Sequence, residues 1–121
     1  MYRSGLHSIV YITAPSIKIA KELAHDIIQK DLAACVNLLP NITSIYKWNG
    51  QIQEASESLM MIKTRTSRIE ELTNFVKVHH PYEVCEVIST KIENGNIPYL
   101  NWISESVPEV PSILEENEPS T

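Results

Sequence analysis

The dipeptide Asn49-Gly50 does more than any other feature to restrict what this chain can fold into. A type I′ turn needs φ > 0 at both central residues, and Asn-Gly meets that need at the lowest steric cost. The segment Thr43 to Thr66 is therefore predicted to double back as a long β-hairpin. Before the turn, Tyr46 and Trp48 share one side of a strand, and Ile45 and Lys47 share the other. After it, the run Leu59-Met60-Met61-Ile62 is predicted to be buried on both faces of a sheet. Such a ribbon reaches past the core of a small domain, and an uncovered edge bearing Tyr and Trp is a docking surface. Self-association is expected from this segment alone.

The rest of the chain supplies a frame for the ribbon. Ile9 to Ile12 form the apolar heart of a first strand, Ser8 to Ala14, which Pro15-Ser16 ends. Ile17, Ala20, Leu23, Ala24, Ile27 and Ile28 recur at helical spacing and predict a first helix over Ile17 to Lys30. Ala33 to Leu39 reads as a second strand closed by Pro40-Asn41, with Ile42 to Trp48 continuing it after a bend. Ser67-x-x-Glu70 has the form of a capping box opening a second helix, whose apolar stripe is Ile69, Leu72, Phe75 and Val76. That helix must end near His79, because His80 precedes a proline and is pushed out of helical geometry. Val84 to Ile92 reads as the last strand, and Pro98 suits the first turn of a terminal helix running to Val107.

The order β-α-β-β-α-β plus a helix predicts an α+β, ferredoxin-like antiparallel sheet with both long helices on one face. The other face is expected to be covered by further subunits. One domain is predicted over 1–107, because 121 residues support a single core. The remainder, 108–121, is expected to be an acidic, flexible tail. Five of the fifteen acidic residues follow Ser104, where there is no Lys or Arg, so the net charge of -5 belongs to the C-terminus and the first 104 residues balance. No clustered basic charge exists to track nucleic acid. No apolar run of membrane-spanning length occurs. Two cysteines, Cys35 and Cys85, are too few for a disulfide scaffold. With no secretory pattern at the N-terminus, the chain is expected to be cytoplasmic as given, although a lost targeting segment would leave the same sequence.

The densest collection of donor side chains is His79-His80-Pro81-Tyr82-Glu83-Val84-Cys85-Glu86. Imidazole, carboxylate and thiol are all metal donors, and the soft members favour copper or zinc. His79, His80, Glu83 and Cys85 are the candidate metal ligands. The alternative for the same residues is a helix exit, a rigid turn and polar packing, with Cys85 held in the sheet. The chain carries no nucleophile elbow, phosphate-binding glycine loop or zincin helix motif, so no catalytic residue is assigned.

Six segments in order carry a resemblance to a known family: T-A-P at Thr13 to Pro15, L-A-A-C-V-N at Leu32 to Asn37, S-I-Y-K-W-N-G at Ser44 to Gly50, E-x-L-M-M-I-K-T from Glu57, H-P-Y-E at His80 to Glu83, and G-N-I-P-Y-L-N-W at Gly95 to Trp102. Together they resemble the CutA1 family, the divalent-cation tolerance proteins, over Val10 to Val107. The resemblance implies a tight homotrimer with clefts at subunit boundaries, binding of copper or another divalent transition metal, and no enzymatic reaction. It places Tyr46, Trp48, Lys63, Tyr82, Glu86, Tyr99 and Trp102 near an inter-subunit cleft. Two family positions differ. Ile12 stands where bacterial relatives have a cysteine ligand, and Cys85 stands where a proline is usual. A trimeric adaptor that presents its cleft to a small ligand or a protein is the alternative expectation.

Overall fold

A computed structural model describes residues 1–109; the predicted tail lies outside the described residues from position 110 onward. The elements run β1 (His7–Ala14), α1 (Ile17–Gln29), β2 (Cys35–Trp48), β3 (Gln51–Arg65), α2 (Ile69–His79), β4 (Val87–Lys91) and α3 (Ile97–Ser106). All pairings are antiparallel, and the sheet order is β2-β3-β1-β4. This is the α+β, ferredoxin-like arrangement expected.

Strand register sorts the side chains. Ser8, Val10 and Ile12 of β1 lie opposite Thr64, Ile62 and Met60 of β3, and Val36 and Leu38 of β2 lie opposite Ile62 and Met60. These even-numbered positions face α1 and α2. Val10, Ile12, Met60 and Ile62 join Ala20, Leu23, Ile27, Leu72 and Val76 in one buried cluster. Eight of these side chains are larger than alanine, and at roughly 1.5–3 kcal/mol each they supply a large part of the driving force for docking the helices.

The opposite face is only partly covered. Leu59 and Met61 are half-buried rather than fully buried as predicted, because nothing within the described chain covers the whole of their side of the sheet. α3 packs there, over one end. His7 and Arg65, on odd positions that point away from α1 and α2, bond to it: His7 Nε2 lies 2.7 Å from Ser104 Oγ, and Arg65 donates to the Ser104 and Val107 carbonyls. Leu100, Ile103 and Val107 form the buried side of α3. His7, 1 % exposed, has its pKa pushed below the ordinary value by burial and then by the Arg65 charge.

Several boundaries differ from the sequence reading; β2, for one, begins at Cys35 rather than Ala33. Ser67 does not cap α2. A 3-10 turn, Thr66–Arg68, precedes the helix, and Arg68 occupies the cap position without a side-chain capping bond. Arg68 instead pairs with Glu71 at 2.9 Å and donates to the Pro108 carbonyl at 2.6 Å, so this corner is organised by its guanidinium. β4 is five residues rather than nine, and Cys85 lies before it, half-buried against the main core and not in the sheet. Pairing with β1 stops at Ile12↔Val87, and the next carbonyl on β1, that of Thr13, is taken by the side chain of His80. α1 ends one residue early, at Gln29, before Asp31 in a left-handed conformation.

The ribbon forms as predicted. Asn49 (φ 51°) and Gly50 (φ 77°) make the turn. β2 and β3 pair from Cys35↔Lys63 to Trp48↔Gln51 with one irregularity between Leu39 and Ile42. Over that irregularity β2 advances three residues and β3 two, so β2 carries one extra residue, a β-bulge at Pro40-Asn41. Asn41 adopts φ 60° there, a left-handed conformation that asparagine tolerates better than most residues. The extra residue reverses the parity of everything beyond it. Tyr46 and Trp48 are thereby moved to the face that also carries Glu57, Leu59 and Met61.

Candidate functional site

That parity change builds the site. Where the ribbon leaves the body of the sheet, the segment 80–86 crosses the end of β1 and turns toward β3. Together they enclose a cleft of about 740 Å³ lined by Thr13, Tyr46, Trp48, Gln53, Glu57, Pro81, Tyr82, Glu83, Val84 and Glu86. Three of these are carboxylates and three are aromatic. No lysine or arginine among the described residues lines it.

The crossing segment is fixed by His80. Its ring is 6 % exposed. The Tyr82 amide donates to Nδ1 at 3.1 Å, which leaves Nε2 to carry the proton and donate to the Thr13 carbonyl at 2.8 Å. Pro81 forces His80 into extended geometry (φ -80°, ψ 140°), and that geometry turns its ring inward from the end of α2. His79 behaves differently. It is exposed, stacks on Phe75 at 4.1 Å and donates from Nδ1 to the Phe75 carbonyl at 2.8 Å.

Glu57 is the buried member of the acidic trio, 8 % exposed. The Tyr82 hydroxyl donates to its Oε2 at 3.0 Å. No ion pair to Glu57 is formed among the described residues. Burial raises the Tyr82 phenol above its ordinary value of 10.0, and the hydrogen bond and charge of Glu57, then Tyr46, push the same way. A phenol raised in this way supports the fold while it stays protonated. Its contribution is intact below pH 10, where the unfolded phenol titrates, and is lost as pH rises toward the higher folded value. The urea midpoint of the protein is expected to fall more steeply between pH 10 and 11.5 than that of Tyr82→Phe. Parallel profiles for the two would count against this contact.

Of the residues singled out in the sequence, Tyr46, Trp48, Tyr82, Glu83 and Glu86 converge on the cleft. Lys63, Tyr99 and Trp102 do not. Lys63 lies six residues along β3 from Glu57, about 20 Å away at strand rise, and donates to Asn37 Oδ1. Tyr99 and Trp102 pack on each other on α3 with ring centroids 5.4 Å apart. Burial and then the neighbouring Cys35 raise the Tyr99 phenol. His79, His80, Glu83 and Cys85 are not gathered into a ligand group: no set of three His, Cys, Asp or Glu side chains suited to a metal ion occurs among the described residues. Glu57 and Gln53 join the cleft although the sequence reading did not single them out. The available signal was their odd position on β3, shared with Leu59 and Met61, but only once the bulge was known could it be connected to Tyr46 and Trp48.

Residues 8–106 match the family described as CutA1 divalent ion tolerance protein. The chain is 53% identical over 108 residues to the Protein CutA homolog of Xenopus laevis, covering 89% of this chain and 72% of that one. It is 52% identical over 116 residues to Protein CutA of Homo sapiens, covering 93% of this chain and 65% of the human one, so it spans just under two thirds of that relative. Among solved structures, CutA1 from Oryza sativa superposes with a TM-score of 0.84 at 45% identity, covering 86% of this chain and 95% of that chain.

Proposed function

The chain belongs to the CutA1 divalent ion tolerance family, and on that premise we propose that it is a homotrimeric protein that binds divalent cations in the acidic cleft. The family is non-catalytic, and the act proposed is reversible binding, with no covalent bond made or broken. The observation that carries the proposal is the cleft itself: Glu57, Glu83 and Glu86 share one hollow, with no lysine or arginine among its described lining residues, beneath a ribbon that projects from the body of the subunit.

Trimerisation is supported by the uncovered surface. Tyr11, Leu59 and Met61 are half-buried on the sheet face opposite α1 and α2, Leu39 and Ile88 are exposed beside them, and the ribbon adds exposed Tyr46 and Trp48 on the same side. A continuous apolar area of this kind on one subunit is what a permanent interface would bury.

Copper fits this lining poorly. Copper prefers imidazole and thiolate. Both nitrogens of His80 are already bonded, and neither cysteine lines the cleft. The donors that remain are carboxylate oxygens, which suit harder ions. Because no three donors of one chain have metal-holding geometry among the described residues, the cation would be completed by water or by a neighbouring subunit.

The test is a titration of the intact protein with manganese and with copper against a competing chelator. Manganese is expected to bind weakly and to weaken at least tenfold in Glu83→Gln/Glu86→Gln, with His79→Ala unchanged. Stoichiometric copper binding that disappears in His79→Ala and is indifferent to the glutamate pair would move the site to the imidazole and overturn the carboxylate reading.

A further inference from the structure

His7 is buried away from the cleft, and its imidazole joins three parts of the chain. It opens β1 and is 1 % exposed. On one side the Tyr2 ring stacks on it with centroids 5.7 Å apart, and the Tyr2 hydroxyl lies 3.0 Å from Nδ1. On the other side Nε2 lies 2.7 Å from Ser104 Oγ, in the last turn of α3. The ring therefore ties both the N-terminal segment and α3 to the start of β1. Its burial is complete within one subunit, so the arrangement does not depend on what covers the rest of the sheet face.

These bonds suit a neutral ring. Tyr2 has one hydroxyl proton and two acceptors for it, Nδ1 at 3.0 Å and the Ile92 carbonyl at 3.4 Å. The shorter bond assigns that proton to Nδ1, and Nε2–H then donates to Ser104 Oγ. A second proton on the ring occupies the Nδ1 lone pair and leaves Tyr2 only the longer bond. It also sets a cation against Arg65, which lies opposite His7 on β3 and donates to the Ser104 and Val107 carbonyls at the same helix end. The surroundings supply no counter-charge. β4 meets His7 through the Ile92 amide, and Lys91 and Glu93 beside it are exposed, as are Arg3 beside Tyr2 and Glu105 beside Ser104. Glu109, 68 % exposed, is paired with Arg65 at 3.4 Å, and no ion pair to His7 is formed among the described residues. Burial and then the Arg65 charge accordingly hold the imidazole below its ordinary value of 6.5. A histidine held low favours the docked state above pH 6.5, and that contribution is lost as pH falls through 6.5 toward the lower folded value.

We propose that His7 is an acid-sensitive latch: neutral, it fastens α3 and the N-terminal segment to the sheet, and on protonation it releases them. The step moves one proton from water to Nδ1 and breaks no covalent bond. Its consequence is exposure of Leu100, Ile103 and Val107, the buried side of α3, together with the end of the sheet beneath them. The latch stands whether or not the acidic cleft binds a cation.

The test is amide exchange on the intact protein at pH 7.5 and pH 5, with every protection factor corrected for the intrinsic rate. Between these values the α3 amides from Leu100 to Val107 are expected to lose at least about tenfold more protection than those of α1. His25→Gln, at an exposed position on α1, should reproduce that loss. His7→Gln should abolish the difference between the two pH values. Because His7→Gln can disturb the fold, the His7 ring resonance of the unaltered protein is titrated in parallel, and α3 protection should fall with the same midpoint. Exchange at 80–86, where His80 is buried, is read separately, so acid opening of that turn is not mistaken for release of α3. Amides of α3 that keep their protection relative to α1 at pH 5, or lose it equally in a folded His7→Gln, overturn the proposal. So does a His7 ring that takes up its proton while α3 stays docked.

Discussion

Replacing Ile88 by aspartate is expected to convert the proposed trimer into monomers at micromolar concentration while leaving each subunit folded. Ile88 lies on β4 opposite Tyr11, on the sheet face turned away from α1 and α2, and it is 59 % exposed in the single chain. Within one subunit an aspartate there remains largely in water, so the fold loses little. In an interface the same change removes about 1.5–3 kcal/mol of apolar burial and adds several kcal/mol for a desolvated carboxylate, repeated in every subunit. Even the lower figure for one contact is more than tenfold in association, and the sum over subunits takes the assembly out of the working range. Val78 provides the control. It is 77 % exposed, on α2 and outside that face, so Val78→Asp should leave the mass unchanged. Light scattering during gel filtration decides the matter. A trimer that survives Ile88→Asp would place the interface elsewhere.

His80→Ala is expected to lower stability by about 2–4 kcal/mol, whereas His79→Ala should change it by less than about 1 kcal/mol. The two residues are neighbours of identical chemistry, and only their surroundings differ. Removing the His80 ring leaves the Thr13 carbonyl without its donor and the Tyr82 amide without its acceptor, at roughly 1–3 kcal/mol for a buried orphan, and opens a void beside β1. Removing the His79 ring gives up an exposed stacking contact with Phe75 and one bond to a helix carbonyl that water can replace. Urea unfolding, compared at one protomer concentration, reads the difference. Equal effects would mean that His80 does not fasten the turn. The prediction also bears on the cleft. His80→Ala should loosen Tyr82, Glu83 and Glu86 together, so any cation affinity lost in a variant lacking both histidines reflects displaced carboxylates as much as missing imidazoles.

The fate of particular residues shows why some of the site was legible in the sequence and some was not. Tyr46, Trp48, Tyr82, Glu83 and Glu86 were marked as candidates, and they share a cleft. The resemblance places Lys63, Tyr99 and Trp102 near an inter-subunit cleft; within one subunit Lys63 lies toward the far end of β3 and the two aromatics lie on α3. Glu57 opens one of the family-like segments, but between Ser56 and Ser58 nothing local marks it as a site residue. Its burial depends on Tyr82, twenty-five residues away. The Ser67-x-x-Glu70 pattern marks a helix entrance but forms no capping bond. Arg68, anchored on Glu71 and the Pro108 carbonyl, takes the cap position instead.

By itself the sequence determined what short-range sterics and periodicity control: the Asn49-Gly50 turn, the order of strands and helices, the end of α2 ahead of His80-Pro81, and the start of α3 at Ile97-Pro98. These depend on φ/ψ limits and on apolar spacing within a few residues, and both can be read from the letters. Only the tertiary structure decided which way the ribbon's aromatics look, where β4 stops, and whether a histidine is a ligand or a clasp. One extra residue in β2 carries Tyr46 and Trp48 to the face of Glu57, and one carbonyl on β1 accepts a side-chain N–H from His80 where pairing with β4 ends. Those outcomes belong to pairings between residues far apart in the chain, where a single-residue shift in register reverses a face and leaves local propensity unchanged.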